Sequence, residues 1–513
     1  MKKIFIVIIL IFSKVVFSEE KENNFDIKKI QTEFNAKIRK YTLNNGIRVI
    51  LLRNKTSPTI ACYLKIGVGS ADEPFNQAGT AHFLEHLLFK GTDTVGTNNF
   101  DKEKIYLKEI EIYGNRIDRI QRELNDPLIS QETRRSLEKE LSVAEKRLEI
   151  FQKYTEKFVV SEEDSHIYSL AGQTGYNAYT NTDVTNYQIK LPSNRLELWA
   201  YMESNRFLNP VFREFYSERK VIKEERNMRY DSRPSSLLYE LFNKTAYGMS
   251  PYGKPVIGYA ENILQLTLED TQKFFKENYI PSKMVIAIAG DIEFDEAILI
   301  IKKHFEKIPD KSPPGFPSIP YQNSQGKKTA ILEAESTPYL LTGWAKGREI
   351  DPENAVFDVL QNALTSGQNS RLVQRLIIRD KIASGVEAYN GLPGGKLPNH
   401  FVISVNPYSE KDYERVQNII KEEIAKIGIN GLEESEFIKI KNSYFKSIIN
   451  SLDSNAGMAE LLSYYELIYF DYNELFQYLA KIEKVNNEQI KEVIKSTFVD
   501  KKNTTVWINT PLK

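Results

Sequence analysis

Between Thr80 and Thr92 the chain reads TAHFLEHLLFKGT, which spends two of its five histidines, His82 and His86, one helical turn apart with Glu85 just inside the second. On a helix, at about 100° per residue, these three side chains fall within an arc of roughly 100°. Two imidazoles on one face supply two nitrogen ligands for a zinc ion at about 2.0–2.1 Å. Glu85 points beside them and is placed to take a proton from water on the metal rather than to bind the metal itself.

Zinc catalysis needs at least one further protein ligand and an open position. The single cysteine, Cys62, excludes a thiolate cluster and an intrachain disulfide, and within the apolar run Thr59 to Val68 it reads as a small buried hydrophobe. His166, His304 and His400 are assigned structural or solvent roles. A carboxylate is the natural third ligand, and YSERKVIKEERNMRY, residues 216–230, offers several. Glu218 and Glu225, seven apart, share a helix face, whereas Glu224 points about 100° away. Glu225 as ligand with Glu218 behind it gives a metal site with a supporting carboxylate. On this reading Glu224 stays open as the alternative ligand.

Such a set fits peptide hydrolysis. Glu85 accepts the proton of the attacking water and passes it to the departing amine, while the metal and a nearby donor carry the oxyanion. A second reading keeps the zinc but not the turnover: a zinc-binding partner subunit or a peptide-binding scaffold with little activity of its own. One zinc per chain is expected in either case.

The elements around the motif follow from periodicity. YTLNNGIRVILLRN and TIACYLKIGVGS read as strands leading into the histidine helix, which Gly91 ends. From Tyr106 the apolar positions Ile110, Tyr113, Ile117, Ile120 and Leu124 alternate by four and three; after Asn125-Asp126-Pro127 the spacing resumes at Leu137, Leu141, Ala144, Leu148 and Phe151. This predicts an antiparallel helical hairpin about 36–42 Å long, read as a protruding coiled-coil arm, with an amphipathic pair lying on the body as the alternative, and with Gly114 weakening its first helix slightly. GYNAYTNTDVTNYQIKLP and MVIAIAGDI read as further strands, and the Pro- and Ser-rich run from Pro309 to Gly326 as a linker. Beyond the linker the order recurs. Setting Gly367 against Gly91 places Asp358, Gln361 and Asn362 opposite His82, Glu85 and His86, so the second half is an expected copy without metal ligands.

The resulting division is a signal peptide at 1–18, a zinc-binding peptidase domain at 19–308 with the arm at 101–160, a linker at 309–327 and a second domain at 328–513. Lys2 and Lys3, the apolar run Ile4 to Phe12 and the stretch ending at Ser18 carry the signal for export. The periplasm is the expected location, with secretion or anchoring by an uncleaved leader as alternatives. No later stretch is long and apolar enough for a stable membrane span. Basic and acidic residues both number 69, so no nucleic-acid partner is expected.

HFLEH at 82–86 and ERKVIKEE at 218–225 resemble the inverted zinc-motif peptidases, the family of pitrilysin, insulin-degrading enzyme and mitochondrial processing peptidase. GYNAYTNTDVTNY, ESNRFLNPVF, SPYGKPVIGYAENI and YIPSKMVIAIAGDI extend the resemblance along most of the chain. It implies Glu225 as third ligand, Glu218 as supporting carboxylate, and an α+β fold of two homologous domains, each a mostly antiparallel sheet covered by helices. It also implies unfolded peptide substrates that pair with the strand holding Asn177 and Ala178, inside a chamber closed by a second copy or a related chain. The family pattern of an Arg followed seven later by Tyr is met only in part: Arg379 is present, Val386 stands at the Tyr position, and Tyr389 lies three further on. That departure implies that a partner chain supplies the transition-state donors.

Overall fold

The computed structural model describes residues 27–311 and 326–511. The leader and most of the linker lie outside the described residues. In the first half the strands are β1 (Ile38–Thr42), β2 (Arg48–Arg53), β3 (Thr59–Ile66), β4 (Thr174–Thr180), β5 (Thr185–Pro192) and β6 (Met284–Gly290). Its helices are α1 (Ile27–Asn35), α2 (Thr80–Leu88), α3 (Phe100–Leu124), α4 (Gln131–Thr155), α5 (Glu163–Leu170), α6 (Leu196–Leu208), α7 (Phe215–Arg226), α8 (Pro234–Tyr247), α9 (Ala260–Gln265), α10 (Leu268–Asn278) and α11 (Phe294–Phe305). The second half contains β7 (Lys328–Glu333), β8 (Leu340–Lys346), α12 (Asn354–Thr365), β9 (Ala383–Leu392), β10 (Asn399–Pro407), α13 (Tyr413–Asn430), α14 (Glu434–Ser451), α15 (Asn455–Tyr469), α16 (Glu474–Lys484), α17 (Asn487–Thr497) and β11 (Asn503–Asn509).

The strands form two sheets, ordered β1-β2-β6-β3-β5-β4 and β7-β11-β8-β10-β9. Leaving out the extra edge strand β1, each sheet runs first, last, second, fourth, third strand of its half, and in each only the first and last strands pair in parallel. The duplication expected from residue spacing is therefore present in the topology. In both copies a helix follows the second strand: α2 carries the histidines, and α12 carries Asp358, Gln361 and Asn362 in the corresponding place.

Each half lends a helix to the other's sheet. Leu238, Phe242, Ala246 and Tyr247 of α8 pack with Leu341, Val402, Val506 and Ile508 of the second sheet. A Cβ at Gly343 would come within 2.8 Å of the Phe242 ring, so the missing side chain there admits this helix. In return Met458, Ala459 and Leu462 of α15 cover Ile50, Leu52, Ala61 and Ala287 of the first sheet. Cys62 is buried on the opposite face of that sheet with Leu64, Leu84 and Ile288.

The arm forms as an antiparallel pair of 25-residue helices, α3 and α4. Tyr106 stacks on Tyr154 at 5.4 Å and Tyr113 on Phe151 at 5.6 Å along the predicted seam. It does not stand free over its whole length: Ile117, Ala144 and Leu148 share a core with Phe215, Tyr216 and Ile222 of α7. Gly114 is where the two meet, since a Cβ there would overlap the Tyr216 ring at about 2 Å. At the base, Arg213 and Glu103 form a fully buried bidentate pair, 2.6 and 2.9 Å, and Arg219 reaches Asp118 at 3.0 Å.

His400 on β10 is buried and hydrogen-bonded through Nδ1 to the Tyr247 hydroxyl at 2.8 Å. Burial, with Lys328 and Lys346 nearby, lowers its pKa to about 3. A histidine held neutral in the fold and free to protonate when unfolded contributes stability that is complete above pH 6.5 and is lost as pH falls towards 3. Its share is up to about 5 kcal/mol. Denaturation midpoints measured from pH 7 to 4 are expected to fall less steeply in His400→Gln than in the unsubstituted chain; parallel curves would show that another group governs acid sensitivity.

Candidate metal centre

Glu73 sets the start of α2. Its buried carboxylate accepts the backbone N–H groups of Gly79 and Ala81 at 2.8 and 2.7 Å, satisfying donors that a helix N-terminus leaves open. At the other end the Arg206 guanidinium donates to the Leu88 carbonyl at 2.5 Å and to the Tyr176 hydroxyl at 2.5 Å, with Glu203 and Asp164 completing its buried network. One arginine thus ties the end of α2 to β4, the edge strand of the sheet.

On α2 the rings of His82 and His86 lie 4.8 Å apart. Glu225 approaches from α7, with Oε1 3.8 Å from His82 Nε2 and Oε2 3.4 Å from His86 Nε2. One ligand atom from each of the three residues lies within 4.8 Å of the others, and this is the single such cluster found among the described residues. Ligand atoms at about 2 Å from a tetrahedral zinc are separated by roughly 3.3–3.5 Å, so small inward shifts complete the site and the donor set fits the ion. Burial, with His86 and Arg229 nearby, lowers the pKa of His82 to about 3, which keeps its imidazole neutral as ligation requires. Glu224, the alternative left open by spacing, is exposed one position away.

Glu218 Oε1 lies 3.0 Å from His86 Nδ1, and its other oxygen accepts from Lys90 at 2.7 Å. Burial alone would raise the Glu218 pKa, but these two hydrogen bonds outweigh it and hold the carboxyl below its usual range. Glu85 lies on the same side of α2 as the histidines; burial raises its pKa, and the Thr180 hydroxyl, donating to Oε2 at 2.5 Å, works against the shift. Two clefts of about 630 and 790 Å³ meet here, sharing Glu85, His86, Asn177 and Ala178. The first is walled by Phe89, Lys90 and Tyr176, the second by His82, Thr180, Glu225, Arg229 and Tyr239. A slightly larger cleft of about 810 Å³ between the arm base and α10 contains no member of the metal cluster.

Two neighbours of the centre were not anticipated from sequence. Thr180 orients Glu85, and Arg229, one turn beyond Glu225, holds Glu225 Oε1 at 3.0 Å. Spacing carried a signal for each, since Thr180 is two residues from Ala178 on one strand face and Arg229 is four from Glu225 on one helix face. Arg379 and Tyr389 are not brought to the centre. Arg379 is exposed, while Tyr389 hydrogen-bonds Glu387 and packs edge-on against Tyr239. Val386 is buried in the second-half core on the other side of β9. Among the remaining histidines, His166 is exposed on α5 and His304 lies 3.6 Å from Glu197.

Residues 48–106 and 149–259 match the family model described as Insulinase (Peptidase family M16), and residues 265–444 match Peptidase M16 inactive domain. The gap between the first two segments falls within the arm. The chain is 26% identical over 476 residues to Zinc protease PqqE of Helicobacter pylori, covering 91% of each. Its fold is similar to the crystal structure of a protease from Helicobacter pylori, with a TM-score of 0.75, 23% identity, and 92% of this chain and 99% of that one covered. It is also similar to the periplasmic protease PqqL from Escherichia coli, with a TM-score of 0.66 and 18% identity over 93% of this chain but 48% of that one. With the inverted histidine motif, the glutamate ligand and both family segments in place, the chain belongs to the insulinase family of zinc metallopeptidases, peptidase family M16.

Proposed function

We propose that the protein is an exported zinc endopeptidase or oligopeptidase that cleaves unfolded peptides inside a chamber completed by a second copy or a related chain. The observation that carries this reading is the convergence of His82, His86 and Glu225 beside a hydroxyl-held Glu85, at the free edge of a sheet. When bound there, zinc polarises the peptide carbonyl and acidifies water. Glu85 receives the proton of the attacking water and returns it to the leaving amine, and the Thr180 hydroxyl keeps its carboxylate turned towards the reacting atoms. Glu218 orients His86, as a carboxylate behind a ligating imidazole does.

An extended substrate adds to β4 at Asn177 and Ala178, whose outer backbone groups have no strand beyond them in the sheet order. Strand addition reads backbone more than side chains, which suits unfolded peptides of varied sequence. PqqL, of which this chain covers 48%, supports a chamber built from two units of this size, and its description as periplasmic supports the same compartment here. The basic and apolar leader points the same way, and no described helix is long and apolar enough to cross a membrane. We divide the mature chain at the linker, 19–308 and 328–513, with the arm at 101–160 inserted in the first domain. With Val386 at the family's Tyr position, the transition-state donors to this chain's metal are assigned to a partner chain, and Arg379 and Tyr389 stay as this chain's own candidate donors.

Elemental analysis is expected to give one zinc per chain, and hydrolysis of a quenched peptide library is expected to stop on chelation and return when zinc is restored. Chelator-insensitive hydrolysis would remove the assignment. Zinc retained without turnover, even in the assembly recovered from the host at its native mass, would favour the scaffold reading.

A further inference from the structure

The two sides of the helical arm differ in a way that the metal site does not use. The side holding Glu103, Gly114 and Asp118 is packed against the body through Arg213, Tyr216 and Arg219. The opposite side carries large apolar residues in solvent: Ile105 (61% exposed) and Ile112 (50%) on α3, with Val143 (58%), Ile150 (44%) and Tyr154 (42%) on α4. Ile105 and Ile112 are seven apart, as are Val143 and Ile150, and Tyr154 is four beyond, so each helix presents a continuous stripe. Arg116 and Arg119 of α3 reach Glu140 of α4 across this side at 2.8 and 3.2 Å, which places the two stripes next to each other.

Charge is sorted the same way. At about 100° per residue, Lys139, Lys146 and Arg147 fall around the α4 stripe and Lys108 beside the α3 stripe, and Lys157, just past the helix, sits over the Tyr154 ring at 5.2 Å, whereas Glu138, Glu145 and Glu149 form a row on the other flank of α4. Of the acids on the apolar side, Glu123 and Glu140 are taken by Arg116 and Arg119, which leaves Glu132 on the α4 stripe and Glu109 beside the α3 stripe against the larger number of basic groups. The five basic residues flanking the stripes make no salt bridge among the described residues. The whole chain is neutral, so this face is basic by arrangement rather than by composition.

We infer that the outer face of the arm binds the surface of an anionic lipid bilayer. Apolar side chains at the level of the headgroups, flanked by long basic side chains whose stems lie along them, are the pattern of an interfacial helix. Each basic residue near an anionic surface strengthens binding about 5-fold. Towards the base of the arm the seam between the helices is filled by stacked rings, Tyr106 on Tyr154 and Tyr113 on Phe151, which favours a flat partner there. A second copy of the chain on this face would set an excess of cationic groups against its own equivalents, which opposes self-pairing. Docked this way, the body sits on the far side of the arm from the lipid.

The test is co-sedimentation of the form beginning at Glu19, which keeps every described residue, with phosphatidylcholine vesicles and with vesicles containing about one-third phosphatidylglycerol. Binding is expected only to the anionic vesicles and is expected to fall as salt rises. Lys146→Glu with Arg147→Glu is expected to weaken it at least 30-fold. Ile112→Ser with Ile150→Ser is expected to weaken it about 10-fold, with unfolding midpoint and peptide hydrolysis unchanged in both variants. No binding to anionic vesicles at low salt, equal binding by the unsubstituted chain and both variants, or capture by polyglutamate with none by vesicles would each overturn the inference.

Discussion

Glu85→Gln is expected to slow peptide hydrolysis by about 10²- to 10⁴-fold while the chain still carries one zinc. The substitution keeps size and leaves an oxygen to accept the Thr180 hydroxyl, so the local packing survives. What it removes is the capacity to take and return a proton. The ligands His82, His86 and Glu225 are untouched, which separates loss of chemistry from loss of metal. The measurement is turnover at saturating peptide together with metal content. Equal turnover in the two proteins would mean that the proton goes elsewhere, whereas loss of zinc would mean that Glu85 had been misassigned and is itself a ligand.

The second large effect is on stability. Arg213→Ala is expected to cost about 3–5 kcal/mol, because it strands a carboxylate that has no access to water. Glu103 and Arg213 are 0% and 1% exposed at their side chains, and Arg213 also donates to the carbonyls of Lys90 and Val95 at 3.2 and 3.3 Å. Those carbonyls follow directly on the metal-binding helix, so the same change loosens the segment after His86. Equilibrium denaturation reads the loss. The double variant Glu103→Gln with Arg213→Met should recover much of it, since an apolar or neutral replacement of both partners removes the stranded charge. A loss below about 1 kcal/mol in the single variant would show that water reaches the pair.

The metal centre was legible because it rests on two local regularities, His82 to His86 on one helix and Glu218 to Glu225 on another, each a consequence of the helical repeat. Spacing favoured Glu225, which shares a helix face with Glu218, but left Glu224 open, because the final choice depends on the rotation of α7 against α2, which is set by packing such as Phe83 on Phe215 at 5.0 Å. The family resemblance pointed to the same residue, and the fold places Glu225 with the histidines. Strand β9 was not recognised. ASGVEAYNGL is poor in β-branched residues, and its place in the sheet comes from pairing with β10 rather than from local preference. The heptad seam announced the helical pair but not the resting place of the arm. That depends on Gly114, which reads as a helix weakness in sequence and proves to be the contact point for Tyr216.

The exchange of α8 and α15 between the sheets has a consequence for how the protein is made. A ribosome finishes residues 27–311 while one face of their sheet still lacks Met458, Ala459 and Leu462, and α8 still lacks the strands it will cover. Assembly therefore waits for the last part of translation. A gene broken between the two copies would yield polypeptides that each display a sticky apolar surface until they meet, so the duplicated halves are bound to remain on one message or to be co-produced.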